Sequence, residues 1–276
     1  MVKSMQNKMF TLSNGVVMPA LGMGTWQIPN DQVAGPVEAA LEIGYRHIDT
    51  AAAYGNEQGV GQAIRNVLAK GTAARPDIFV TTKLMAETKG YEAAHRAFNA
   101  SLDALGLDYV DLYLIHAPWP WEDMTGDYTQ GNVASYQAME EIYRSGRAKA
   151  IGVSNFLPEH LQPLIDRCQI MPMVNQISYQ IGHTQRGTVD FCRSHGILIE
   201  AYAPLGTGRM LKKAEIIHMA SHYGVSAAQL CIRYCLQKDT VTIPKSIHRE
   251  RLAENFEVDF EITRQDMIRL DAMDKA

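Results

Sequence analysis

The chain has 276 residues, 46% of them hydrophobic and 20% charged, with a formal net charge of −4 at pH 7. That is ordinary globular composition, with enough chain for a sizeable core. It excludes a global basic field that would attract nucleic acid or an anionic membrane, and no apolar run approaches the 18 residues of a membrane span.

Residues 1–10 carry lysines and polar side chains but no apolar signal-peptide core. The four cysteines, Cys168, Cys192, Cys231 and Cys235, are scattered rather than arranged as a disulfide framework. A reducing cytoplasm is therefore the expected location. Cys231 and Cys235 stand four apart in a helical pattern with no further ligands in view, so they read as core packing and no metal is expected.

In chain order, the first element is a hairpin: residues 9–12 and 16–18 flank Asn14-Gly15, a signal for a two-residue turn. Apolar, β-branched runs then alternate with helical stretches. Strands are predicted at 21–24, 46–48, 78–83, 110–116, 150–154, 173–176, 198–203 and 240–243. Between them the pattern predicts helices at 32–43, 57–68, 91–105, 133–145, 158–167, 185–194, 214–223 with 227–237, and 249–255, and a final helix at 266–273. Strand–helix alternation implies a parallel sheet with right-handed crossovers. Eight units favour a (β/α)8 TIM barrel, as a single domain over residues 1–276, with an N-terminal hairpin and an additional C-terminal helix. The longest irregular stretch, 117–131, is long enough to suggest function.

A barrel of this kind carries its active site at the C-terminal ends of its strands. Strand two runs into Asp49, with Tyr54 just beyond it. Strand three ends in Lys83 and strand four in His116. Singly, each has an ordinary reading as a packing, capping or surface residue. Together they place four proton-handling groups on one rim. A free tyrosine has a pKa of about 10, too high for efficient transfer near neutrality, and a neighbouring ammonium should lower it. A buried lysine needs a carboxylate partner, which Asp49 can supply. His116 can orient a substrate oxygen. This set suits proton delivery to an oxygen, one half of a carbonyl reduction; the hydride must come from a cofactor. Near the C-terminus, Lys245, Ser246 and Arg251 converge at a helix start after strand eight, where phosphate binds in many barrels, although a solvated basic turn has the same composition. No G-x-G-x-x-G fingerprint follows a strand.

Several stretches resemble the aldo-keto reductases. They are Gly22-Met23-Gly24-Thr25-Trp26, Gly44-Tyr45-Arg46-His47-Ile48-Asp49-Thr50-Ala51, Tyr54-Gly55-Asn56-Glu57, Asp111-Leu112-Tyr113-Leu114-Ile115-His116, Ile151-Gly152-Val153-Ser154-Asn155-Phe156 and Ile243-Pro244-Lys245-Ser246. They occur in the family's order over nearly the whole chain, and within it are most similar to the short prokaryotic members related to 2,5-diketo-D-gluconate reductase. The resemblance implies that Asp49, Tyr54, Lys83 and His116 form a catalytic tetrad with Tyr54 as the acid in reduction. It implies an NADPH/NADP+ cofactor. Ser154, Asn155 and Gln176 would hold the nicotinamide carboxamide, Tyr202 would stack on its ring, and Leu205 would line the cofactor groove. Lys245, Ser246 and Arg251 would grip the 2′-phosphate, and Glu254 and Asn255 would stand near the adenine. Trp26 would wall the substrate pocket. Where relatives carry a tryptophan after the histidine this chain has Ala117, so Trp119 or Trp121 would have to compensate. A His-Pro pair usual after Gln176 is missing, and the chain stops soon after Met273 without the long C-terminal loop of larger members.

The reading is therefore a monomeric, cytoplasmic reductase of small-molecule carbonyls, with no nucleic acid or membrane partner. Two alternatives stand beside it. One is a non-catalytic NADPH-binding accessory subunit on the same fold, and the other is a Schiff-base barrel using Lys83 as nucleophile.

Overall fold

A computed structural model describes residues 7–274. A hairpin of β1 (Met9–Thr11) and β2 (Val17–Pro19) is followed by β3 (Met23–Gly24), α1 (Ala34–Ile43), β4 (His47–Asp49), α2 (Glu57–Ala69), β5 (Phe79–Leu84), α3 (Tyr91–Leu105), β6 (Val110–Ile115) and α4 (Thr129–Arg144). The chain continues through β7 (Ala148–Ser154), α5 (Pro158–Ile165), β8 (Val174–Ser178), α6 (Arg186–Ser194), β9 (Leu198–Tyr202), α7 (Ala214–His222), α8 (Ala227–Gln237), β10 (Val241–Thr242), α9 (Arg249–Phe256) and α10 (Arg264–Asp271). Strands β3 to β10 pair in sequence order, all parallel. The ends of the sheet meet through a parallel bridge between Leu21 and Thr242, reinforced by Gly22 N–H on Thr242 O (2.9 Å) and Thr242 N–H on Ala20 O (2.8 Å). The result is the (β/α)8 barrel. Among the described residues no helix is long and apolar enough to cross a membrane.

The period of two along each strand sorts side chains into two shells. On β6, Leu112 and Leu114 join an inner cluster with Phe79, Ala150, Val174 and Val241, while Tyr113 and Ile115 join the outer cluster facing the helices. Leu12 and Met18 of the hairpin belong to the inner cluster, so the hairpin plugs the N-terminal end of the barrel. The same alternation turns Thr81 and Lys83 inward with Phe79. Polar groups therefore occupy the interior only above an apolar floor.

Several features differ from the sequence-based expectation. The first turn closes with Gly15 N–H on Leu12 O and Leu12 N–H on Val16 O, with Gly15 at φ +87°; it is a turn followed by a bulge, not a two-residue turn. Helix α4 starts at Thr129, because Asp127 accepts from the Thr129 N–H and opens the helix a turn early. Helix α10 starts at Arg264, capped by the Thr263 hydroxyl accepting from the Asp266 N–H. Strand β10 is only two residues long, since Pro244 has no N–H to donate to the ladder.

Helix α2 approaches the end of α3 closely. A methyl group on Gly61 would meet Leu105 O at 1.9 Å, whereas one on Gly35 would meet nothing within 4 Å. Gly61→Ala should therefore cost ~1–3 kcal/mol, and Gly35→Ala should be neutral or stabilising by helix propensity. Urea midpoints of the two variants check this; equal midpoints would show that α2 can move away freely.

Candidate active site

Asp49 ends β4, and its backbone carbonyl accepts from both the N–H and the hydroxyl of Thr25 (3.0 and 2.9 Å). The following segment is fixed by buried Asn56. Its Nδ2 donates to Thr25 O and Ile28 O (both 2.9 Å), and its Oδ1 accepts from the Thr50 hydroxyl (2.7 Å). Tyr54 lies inside this anchored loop, on a short 3-10 turn, Ala52–Tyr54, that ends at Gly55 with φ +64°. The phenol is thus presented by backbone held at both sides.

Lys83, 0% exposed, is the centre of the site. Its Nζ donates to Asp49 Oδ1 and Oδ2 (both 2.8 Å), to Thr50 O (2.9 Å) and to the Tyr54 hydroxyl oxygen (3.3 Å). Burial alone would drain charge from this lysine, but Asp49 holds its pKa above the ordinary lysine value. Its three N–H groups are shared among four acceptors, which leaves no lone pair for nucleophilic attack. The Tyr54 ring meets the His116 ring edge-on at 5.5 Å. Burial pushes the Tyr54 phenol up to about 12, against the pull of Lys83. Lys83 pulls the phenol down as expected, but burial outweighs the ammonium, and the group stays protonated at neutral pH. Burial, then Lys83, holds His116 down to about 3, so its imidazole is neutral.

The next strand ends lie against this cluster. Asn155 Nδ2 donates to His116 O (2.9 Å) and to the Ser154 hydroxyl (3.1 Å), and its Oδ1 accepts from the Tyr202 hydroxyl (2.8 Å). The Ser154 hydroxyl donates to Gln176 O (2.8 Å), and Gln176 Nε2 donates to Asp49 Oδ2 (2.8 Å). Ser154, Asn155, Gln176 and half-buried Tyr202 are thus brought together with the Asp49 cluster, but with their donors engaged inside the chain. Leu205 packs, partly buried, against the outer core.

Around the start of α9, Lys245 and Arg251 are exposed and have no partner among the described residues, whereas Arg249 is taken up by Glu42 (2.8 Å). The Ser246 hydroxyl accepts from the His248 N–H (3.2 Å). Glu254 is half-buried; Asn255 is buried, and its amide bonds nothing else in the described chain.

The pocket wall departs from simple reading of the residue after His116. Ala117 is fully buried, and its carbonyl accepts from Lys89 Nζ (2.9 Å). The tryptophan that meets the His116 ring is Trp121, edge-on at 5.7 Å and 43% exposed, with Trp119 packed against Trp121 at 5.0 Å. Trp26 stands 50% exposed. A separate cavity of about 240 Å³, lined by Trp119, Tyr128, Asn132 and His160 among others, lies behind this wall and includes none of Asp49, Tyr54, Lys83 or His116. Sequence reasoning passed over Lys89, His47 and Glu200. For Glu200 a signal existed: a glutamate in an apolar strand is almost never fully buried without a partner.

Residues 20–275 match the aldo/keto reductase family model, and the chain belongs to that family. It is 42% identical over 266 residues to the glyoxal reductase of Bacillus subtilis (strain 168), covering 96% of this chain and 92% of that protein. It is 42% identical over 270 residues to the 9,11-endoperoxide prostaglandin H2 reductase of Trypanosoma cruzi, covering 96% and 91%. The crystal structure of an aldo/keto reductase from Brucella melitensis superposes with a TM-score of 0.88 at 39% identity, covering 97% of this chain and 99% of that one.

The folded value of His116 lies below its ordinary 6.5. The unfolded chain therefore binds the proton first, and the ring's contribution to stability is lost as pH falls from about 6.5 towards 3. The ¹⁵N resonances of the His116 ring should show no titration between pH 8 and 5. A midpoint inside that range would mean that the imidazole is solvated.

Proposed function

We propose that the chain is an NADPH-dependent reductase of small aldehydes and ketones, with Tyr54 as the proton donor to the substrate oxygen. The observation that carries this reading is the fully buried Lys83 ammonium, shared between the Asp49 carboxylate and the Tyr54 hydroxyl. Family membership and relatives named as reductases, one of them a glyoxal reductase, support the same reaction class.

The residues present fit the cofactor. Lys245 and Arg251 are two unpaired cations beside the Ser246 hydroxyl at a helix start, a donor set for a phosphate monoester such as the 2′-phosphate of NADPH. The unengaged Asn255 amide lies one turn further along α9. The Tyr202 ring, pinned through its hydroxyl to Asn155, offers a flat surface at the barrel mouth. When bound, the reduced nicotinamide supplies the hydride.

The chain's own residues handle the proton. Tyr54 keeps its proton at neutral pH, which is the form a donor needs. As negative charge develops on the substrate oxygen, the hydroxyl releases the proton to it, and Lys83 stabilises the phenolate left behind. Asp49 keeps Lys83 charged throughout. His116, being neutral, offers an N–H to the carbonyl oxygen without competing as an acid. In oxidation the same phenol runs in reverse as the base.

Neither alternative is favoured. A Schiff-base mechanism needs a neutral, unengaged Lys83. A purely accessory subunit would have no use for a buried ion pair whose desolvation is costly. The match over residues 20–275 supports one barrel domain, and the four free cysteines support a reducing, cytoplasmic setting.

Tyr54→Phe should lower kcat with a small aldehyde by about 10²-fold or more while NADPH binding, followed by fluorescence titration, is retained. Equal turnover would remove Tyr54 from the mechanism. Arg251→Ala should weaken NADPH far more than NADH, because only the 2′-phosphate needs the guanidinium; equal weakening of both would overturn the phosphate assignment.

A further inference from the structure

Beneath the Lys83 cluster the barrel interior holds a second carboxyl group for which the mechanism above has no use. Glu200 on β9 is 0% exposed. Gln176, on the neighbouring strand, stands between it and Asp49. Its Nε2 donates to Asp49 Oδ2 at 2.8 Å and to Glu200 Oε2 at 3.0 Å, so both N–H groups of one amide are spent on two carboxyl groups. Glu200 Oε1 has no hydrogen-bond partner, and His47 Nε2 lies 3.5 Å from it, beyond hydrogen-bonding distance.

We propose that Glu200 is a positioning residue of the reductase site: by holding one N–H of the Gln176 amide, it turns the other onto Asp49 and fixes the carboxylate that binds Lys83. The proposal rests on the functional reading above. Its physical basis is that a primary amide has two donors at a fixed angle, so anchoring one aims the other. Without the Glu200 anchor the amide can rotate, and Asp49 loses one of the donors that keep it facing Lys83.

The charge state of Glu200 matters to the same function. Facing it are His47 and Asp49 from β4, Thr81 and Lys83 from β5, and Gln176 from β8; Val241, opposite it on β10, carries no titratable group. Burial first and Asp49 second push the carboxyl well above the ordinary carboxylate range. Burial, then Lys83, holds His47 down to about 3. Glu200 and His47 are therefore both neutral, and Asp49 and Lys83 face each other as a single anion and a single cation. Ionised, Glu200 would be a second anion one amide away, competing with Tyr54 and Asp49 for the ammonium.

Two variants separate this role from simple packing. Glu200→Leu fills the volume but offers the amide nothing; Glu200→Gln offers it an oxygen and cannot ionise. With NADPH and a small aldehyde, Glu200→Leu should lose about 10-fold or more in kcat, as misplacement of a catalytic group does. Glu200→Gln should recover most of that loss and move the alkaline limb of the kcat profile upward. A cofactor-free readout comes from urea midpoints between pH 5 and 9. The folded carboxyl binds its proton more tightly than the unfolded chain, so its contribution is present below the ordinary 4.5 and lost as pH rises. Glu200→Gln should remove that loss. The proposal is overturned if Glu200→Leu keeps the wild-type kcat and pH profile, if Glu200→Gln recovers nothing, or if its urea midpoints follow the wild-type pH slope. Should Glu200→Leu not fold, the Glu200→Gln profile and midpoints decide. A wild-type protein that reduces no carbonyl with NADPH would refute the functional reading, while the urea comparison would still judge the Glu200 arrangement.

Discussion

The structure turns on a buried ion pair. Removing an ammonium and a carboxylate from water costs several kcal/mol per ion even after relaxation, and Lys83 and Asp49 are 0% and 2% exposed. The cost is tolerated because every donor of the lysine is satisfied, by both Asp49 oxygens, by Thr50 O and by Tyr54. A well-packed apolar pair of equal volume would stabilise the barrel as well or better. What it could not do is hold a positive charge against a phenol. The ion pair therefore makes sense as part of the chemistry, with the closed barrel and its hydrophobic floor as the support that keeps it dry.

Much of this was legible in the sequence, and the reason is periodicity. Alternating strand and helix patterns place eight parallel strands, and period two along each strand decides which residues face inward, so Lys83 follows Thr81 and Phe79 into the interior. The rim residues were legible because strand ends are marked by the apolar runs before them. Less visible was anything set by three-dimensional neighbours. Nothing local indicates that burial of Tyr54 outweighs the pull of Lys83, since that balance depends on how the phenol is enclosed. Gln176 was visible as a strand-end amide, but not as a bridge between two carboxyl groups on different strands. The Asn14-Gly15 turn was found but misjudged in type, because whether a bulge follows depends on the register of the flanking strands.

The segment between β6 and α4 shows the same limit from the other side. Its length suggested function, and the structure shows how it is held. Lys89 Nζ donates to Ala117 O and to Asn132 Oδ1 (2.8 Å), while Asn132 Nδ2 donates to Pro118 O (2.7 Å). This clamp fixes the first residues of the loop at the rim, just ahead of its two tryptophans. Trp121 reaches His116 from four residues beyond Ala117, the position where relatives carry the tryptophan. An aromatic ring delivered by a loop rather than by the strand end itself can vary with the loop and leave the buried Lys83 cluster undisturbed, the division of labour expected of a barrel scaffold and its rim loops.

The rim also stores conformational strain, and its placement follows from the same logic. Asn155 and Ala203 adopt left-handed backbone, with φ of +62° and +52°, immediately after β7 and β9. Asparagine tolerates that region; alanine does so at a cost of order 1 kcal/mol. Both turns serve one hydrogen-bonded path. The Asn155 turn directs its amide to His116 O and the Ser154 hydroxyl, and Tyr202, just before the Ala203 turn, donates to Asn155 Oδ1. A fully extended strand end would carry each side chain to the next alternate face and break this path. The strained residues thus connect the Tyr202 ring with the backbone that holds His116, so the two halves of the site are set by a single chain of contacts and not by independent loops.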